Sequence, residues 1–145
     1  MMMKIFGAVL IVSGGYAIGR IRTHQWEKRL RVLTEIKCLF EDYDRDLREF
    51  RRSIEDCFSS KGELAENLLY NRPIKGLLQE DMTRLETSVC RFKSGSFRDS
   101  LETNTELLEY LGHTVKKMQE DLASSGKALP LVTGAIGLLI AVLLF

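Results

Sequence analysis

Residues 129–145 read LPLVTGAIGLLIAVLLF, a stretch with no charge, no amide and a single hydroxyl, at Thr133. Wound as a helix at about 1.5 Å per residue it reaches about 25 Å, the short end of what crosses the hydrocarbon core of a bilayer. A helix buried in a soluble core is the alternative, but such a helix usually shows one polar stripe and this one shows none. A membrane anchor is the expectation, and the rest of the chain must then be arranged relative to a membrane. Pro130 falls where a first-turn proline is tolerated, because no intrahelical N–H is needed there.

Immediately upstream, Ser124-Ser125-Gly126 reads as a hinge before the anchor. At the other end, residues 1–19 carry one lysine and then run apolar from Ile5 to Ile18. A signal peptide with a weak cleavage site at Ala17-Ile18-Gly19 is one reading. An uncleaved first membrane helix is preferred, since Tyr16 sits near that site and a second anchor makes a hairpin sensible. Lys4 stands alone on the outer flank, whereas Arg20, Arg22, Lys28, Arg29 and Arg31 follow the first anchor and Lys116, Lys117 and Lys127 precede the second. The positive-inside rule then places residues 20–127 in the cytoplasm of a bacterial-type cell and both chain ends outside.

All 20 acidic residues, and every Lys and Arg but Lys4, lie in the 20–127 segment, which is therefore nearly neutral. That balance excludes the basic excess of a nucleic-acid-binding module. The segment is long enough for one small domain. Cys38, Cys57 and Cys90 are odd in number and widely spaced, with no histidine at ligand spacing, so core positions are expected and neither a zinc site nor a disulfide framework.

No strand-like alternation occurs, and the domain reads as all-α. From Trp26 an apolar stripe runs Leu30, Leu33, Lys37, Phe40, Tyr43 or Asp44, Leu47, Phe50, Ile54 and Cys57, the pattern of an amphipathic helix of at least thirty residues, continuous in one reading with the first anchor. Its other face is charged, with Glu41 and Arg45, and Asp44 and Arg48, at ion-pair spacing. That face is read as a solvated ion-pair surface or as a docking surface. Ser60-Lys61-Gly62-Glu63 has capping-box spacing and opens a short helix carrying Leu64, Leu68 and Leu69, closed by Asn71-Arg72-Pro73. A third run carries Ile74, Leu77, Leu78, Met82, Leu85, Val89 and Phe92, and Lys93-Ser94-Gly95-Ser96 breaks it. Ser96-Phe97-Arg98-Asp99 caps a fourth, whose stripe is Phe97, Leu101, Leu108, Leu111, Val115, Met118 and Leu122.

Catalytic chemistry has no foothold. The glycines at 7, 14, 15 and 19 lie in a membrane helix and not between a strand and a helix, so no phosphate loop forms. The carboxylates alternate with arginines on wet faces, where nothing separates the pKa values of an acid and a base. No enzyme activity, cofactor or metal is expected. Gly15 and Gly19 in the first anchor, and Thr133, Gly137 and Ala141 in the second, recur every four residues. Small residues at that spacing let helices approach closely in lipid, although glycine is also simply common in membrane helices.

Several segments in sequence order resemble the stage III sporulation protein AB family of endospore-forming bacteria. Met3-Lys4-Ile5-Phe6-Gly7-Ala8-Val9-Leu10-Ile11-Val12 is similar to that family's first anchor. Leu47-Arg48-Glu49-Phe50 resembles its Leu-x-Glu-Ile step, and Pro73-Ile74-Lys75-Gly76-Leu77-Leu78-Gln79 its Pro-Leu-x-x-Leu-Phe segment. Leu111-Gly112 with Gln119 resembles a Leu-Gly-x-x-Asp-x-x-x-Gln pattern, and Gly134 to Phe145 ends the chain as the family's tail does. Val115 stands where that pattern has Asp, Phe97 where a Trp is usual, and the Thr-Pro-Leu turn after the first soluble helix is missing.

The resemblance implies a helical bundle similar to the cytoplasmic domains of the type II secretion platform protein, carried between membrane helices at residues 1–19 and 128–145 and facing the mother-cell cytoplasm. It also implies a place in a mother cell-to-forespore channel, with a cytoplasmic ATPase (stage III sporulation protein AA) and other channel subunits as partners. The expectation is a non-enzymatic platform subunit that docks its partner through Arg48, Glu49, Arg51 and Arg52. A membrane-anchored scaffold or regulator that forms homo-oligomers through the long apolar stripe is the alternative.

Overall fold

The computed structural model describes residues 2–125 and 128–144, and among these the secondary structure is helical with no strand. The helices are α1 (Met2–Phe50), α2 (Ile54–Phe58), α3 (Glu63–Leu69), α4 (Gln79–Ser94), α5 (Phe97–Ser125) and α6 (Leu129–Leu144). They form two compact units, one of Met1–Lys28 with Lys117–Phe145 and one of Arg29–Lys116. The second unit is therefore shorter than the 20–127 expected from composition. Gly126 and Lys127 lie outside the described residues, and of the proposed hinge Ser124 and Ser125 simply continue α5, their hydroxyls bonded back to the Asp121 carbonyl.

In the first unit, α1 from Ile5 onward is long and apolar enough to cross a membrane. It is one uninterrupted helix of 49 residues, as the continuous reading expected. Its large side chains Ile5, Phe6, Val9, Leu10 and Ile18 are exposed, and so are Leu131, Val132, Leu138, Leu139, Val142 and Leu143 of α6. The small residues lie where α1 and α6 meet. Pro130 stands in the first turn of α6, as its missing N–H permits.

In the second unit Leu33, Ile36, Phe40, Tyr43 and Leu47 of α1 are buried. Phe40 and Tyr43 meet Phe58 of α2 and Phe92 of α4, with ring centroids 5.2 to 6.0 Å apart and mostly edge-on. Edge-on geometry sets the positive ring edge against the negative face and adds about 0.5–1.5 kcal/mol per pair to the burial itself. Leu68 and Leu69 of α3, Leu85 and Val89 of α4, and Leu107, Leu111 and Val115 of α5 complete the core.

Several boundaries depart from the sequence expectation. The apolar stripe does not continue along one helix to Cys57. Arg51 adopts a left-handed conformation (φ 49°), its N–H bonding to the Leu47 carbonyl, and Ser53 recaps the chain by accepting the Asp56 N–H at 3.2 Å. Phe50 is consequently left exposed while Ile54, Cys57 and Phe58 turn into the core. The N-cap of α3 is Gly62 and not Ser60, because φ of 103° there suits a residue without Cβ. Residues 74–78 are outside any helix and α4 begins only at Gln79. The α5 cap is as expected, with Ser96 Oγ accepting the Asp99 N–H and the Asp99 carboxylate accepting the Ser96 N–H at 3.0 Å. Phe97 is nonetheless exposed, while Asn104 and Leu107 are buried. Of the cysteines only Cys57 is buried; Cys38 and Cys90 face outward.

Candidate functional site

The small residues expected to pack in the membrane are brought together. A Cβ placed on Gly15 would lie 2.7 Å from the Thr133 carbonyl oxygen, and one on Gly19 would lie 2.8 Å from Pro130 Cα and 2.5 Å from Thr133 Oγ1. At Gly137 it would meet the Ile11 carbonyl oxygen at 3.0 Å, and Ala141 is buried. Backbone therefore touches backbone along the α1–α6 seam, where only the absence of a side chain allows the approach. Gly14 is the internal contrast, with open space where its Cβ would be.

The expected docking residues sit at the C-terminal end of α1 and in the link to α2. Arg48 Nε donates to Asp44 Oδ2 at 2.8 Å, and that bond raises its pKa. The Arg51 guanidinium lies over the Phe97 ring at 5.1 Å to the centroid. That of Arg52 lies over Phe50 at 5.1 Å and 3.9 Å from Asp46 Oδ2. Glu49 is exposed. The result is a surface of two guanidiniums over two aromatic rings that remain 60% (Phe50) and 40% (Phe97) exposed, with Arg48 held by Asp44 on the same end of α1. Aromatic and arginine side chains are enriched where protein surfaces meet, since both bury large area with few degrees of freedom. Arg51 holds a left-handed conformation that costs a non-glycine residue about 1 kcal/mol or more. Asparagine or glycine would fit that conformation better, and neither could lie over Phe97 as a cation. The pairing read from spacing is half realised: Asp44 does bind Arg48, but Arg45 pairs with Asp42 and Glu41 with Lys37.

Two buried polar groups that no spacing pointed to tie the helices of this unit together, Asn104 beside this surface and Asp81 farther toward the start of the unit. Asn104 is fully buried on α5, and its Nδ2 donates to Asp44 Oδ1 at 3.0 Å and to the Phe40 carbonyl at 3.4 Å. Asp44 thus bonds a core amide with one oxygen and Arg48 with the other. Among the described residues Asn104 Oδ1 has no hydrogen-bond partner.

Asp81, in the first turn of α4, has a fully buried side chain. Its two oxygens accept from Arg29 Nε at 2.8 Å and Nη2 at 2.9 Å, from the Leu78 N–H at 3.1 Å and from the Tyr110 hydroxyl at 3.2 Å. Burial alone would push this carboxyl up. The donors from Arg29, Leu78 and Tyr110 together outweigh burial, and the pKa lies below the ordinary 3.8. Arg84 covers the Tyr110 ring at 4.1 Å. The network ties α1, α4 and α5 through one carboxylate. Only the first-turn position of Asp81 could have been read from sequence, since carboxylates favour helix N-termini.

Cys57 Sγ lies 3.3 Å from Asp46 Oδ2, and burial with the adjacent carboxylate pushes its thiol up to about 11. Among the described residues no group of three His, Cys, Asp or Glu side chains could hold a metal ion. No family model matches the chain, no curated protein matches its sequence and no solved structure matches its fold.

Proposed function

We propose that the chain is a non-enzymatic membrane platform subunit. In this reading α1 and α6 form a membrane hairpin with both ends outside, and the helical unit faces the cytoplasm as a bundle that receives a soluble ATPase. The observation that carries it is the exterior of the first unit. Its large apolar side chains point outward while glycines and Thr133 fill the seam, the reverse of a water-soluble helix pair and the arrangement lipid favours. The resemblance to the stage III sporulation protein AB family supplies the machine, a mother cell-to-forespore channel, and the partner, an ATPase similar to stage III sporulation protein AA.

Docking falls to Arg48, Glu49, Arg51 and Arg52, with Phe50 and Phe97 as the apolar ground beneath them. The apolar stripe is a poor candidate for joining copies of the chain, because Leu33, Phe40, Tyr43 and Leu47 are already taken up inside their own unit. The test has two parts. A reporter that is active only in the cytoplasm, fused after Gly126, should be active; its export would overturn the topology. Full-length protein in detergent should retain the ATPase, and Arg51→Glu with Arg52→Glu should weaken retention about tenfold or more while helix content is unchanged. Undiminished retention removes this surface from the proposal.

A further inference from the structure

A cleft of about 500 Å³ opens in the first unit between α1 and the start of α6, lined by Tyr16, Arg20, Thr23, His24, Glu27 and Pro130, with Leu131 beside it. Its volume is within the range of small-molecule sites, roughly 300–1,000 Å³. The α1 residues are spaced at four, three, one and three, so they share one helix face. The cleft floor is set by the seam: α6 comes so close to α1 at Gly19 that its first turn stands beside Arg20. Among the described residues neither Arg20 nor Glu27 forms an ion pair.

From these features we infer that the cleft binds the headgroup of an amino-phospholipid, with phosphate at Arg20 and His24 and the primary ammonium at Glu27. This rests on the membrane reading above. Along α1 the order is exposed apolar residues, then Tyr16, Arg20, His24 and Glu27, and a phospholipid entering from the bilayer presents acyl chain, phosphate and amine in that order. Arg20 and Glu27 are about 10 Å apart along the axis, and their side chains can converge on one headgroup. Tyr16 suits the boundary between lipid and water, with an apolar ring and a polar tip. Glu27 selects the headgroup. It finds no cation to pair with in a glycerol headgroup, whose phosphate charge is left uncompensated, and it can accept hydrogen bonds from a primary ammonium but none from the methylated amine of choline.

The experiment uses full-length protein in detergent micelles doped with equal amounts of phosphatidylethanolamine, phosphatidylglycerol and phosphatidylcholine, with retained lipid counted by native mass spectrometry. The unsubstituted protein should keep one phosphatidylethanolamine in at least fivefold preference to the other two. Glu27→Gln should abolish that preference, and Arg20→Gln should lower retention of all three about fivefold, the effect of one cation at a membrane surface. Arg22→Gln removes the same charge about 200° around the helix, outside the cleft, and should change nothing. Equal retention of the three lipids, a preference that survives Glu27→Gln, or equal losses in the Arg20 and Arg22 variants would each overturn the site. Displacement of the lipid by soluble glycerophosphoethanolamine at equal concentration would overturn the lipid as its occupant. Flotation with phosphatidylcholine vesicles tests the underlying reading separately: a protein that floats but shows no preference loses only this site, and one that does not float loses both.

Discussion

Replacing Asp81 by alanine removes the carboxylate that joins three helices. The substitution deletes two charge-assisted bonds from Arg29, the bond that satisfies the Leu78 N–H at the start of α4, and the acceptor of the Tyr110 hydroxyl. Breaking a buried pair by removing one partner costs about 3–5 kcal/mol, because the surviving charge is left without compensation. The Arg29 side chain keeps 22% of its exposure and can turn partly to water, which places the expected loss at the lower end, about 3 kcal/mol. That is roughly a hundredfold fall in the folded-to-unfolded ratio. Urea unfolding of the full chain in mild detergent, followed by near-ultraviolet circular dichroism, measures it.

The pH dependence carries a definite sign. The Asp81 carboxyl has a folded-state pKa below its ordinary 3.8, so its stabilisation is fully present above that value and is lost as pH falls through the folded-state pKa. The deficit of Asp81→Ala should therefore be constant from pH 7 to about pH 5 and shrink in the acid range. Replacing both partners, Asp81→Leu with Arg29→Leu, should recover much of the loss, since an apolar pair removes the stranded charge. A loss under 1 kcal/mol for Asp81→Ala at pH 7, or a double variant as unstable as the single, would refute the reasoning.

At the seam, Gly19→Leu should lower the detergent-unfolding midpoint by forcing α6 away, and Gly14→Leu should leave it unchanged because a Cβ there points into open space, clear of every other element. In the core, Asn104→Leu should cost within about 1 kcal/mol, since two bonds are lost together with an unpartnered carbonyl. Asn104→Asp sets a second carboxylate against Asp44 and should cost about 2 kcal/mol or more at neutral pH, measured by the same urea titration. A maleimide at pH 8 should label Cys38 and Cys90 promptly and Cys57 only on unfolding, because Cys57 is buried with a thiol pKa of about 11. Mass spectrometry counts the adducts.

Helix identity was legible because it rests on periodicity, a local property. Leu33, Phe40, Leu47, Leu85, Val89 and Leu111 were all placed on apolar faces by spacing alone, and all are buried. Spacing could not say where a face stops being covered. Phe50 and Phe97 continue their stripes but lie past the reach of the core, and Cys38 and Cys90 have core-like chemistry at outward positions. The break at Arg51 was hidden because arginine carries no turn signal, and its left-handed backbone is visible only in three dimensions. Small-residue spacing pointed to Gly15, Gly19, Thr133 and Gly137, and these are positions where α1 and α6 come close, since close approach leaves a local signature.

By itself, then, the sequence determined an all-helical chain, a long first helix with an apolar opening, and the small-residue faces on which its two apolar ends meet. Each of these follows from neighbours within a turn or two. The tertiary structure decided which polar residues the core would accept. Asp81 meets Arg29 across 52 positions and Asn104 meets Asp44 across 60, and neither partnership leaves any mark on the spacing around either residue. A buried charge or amide is tolerable only beside a specific partner, and that partner is chosen by how the helices pack.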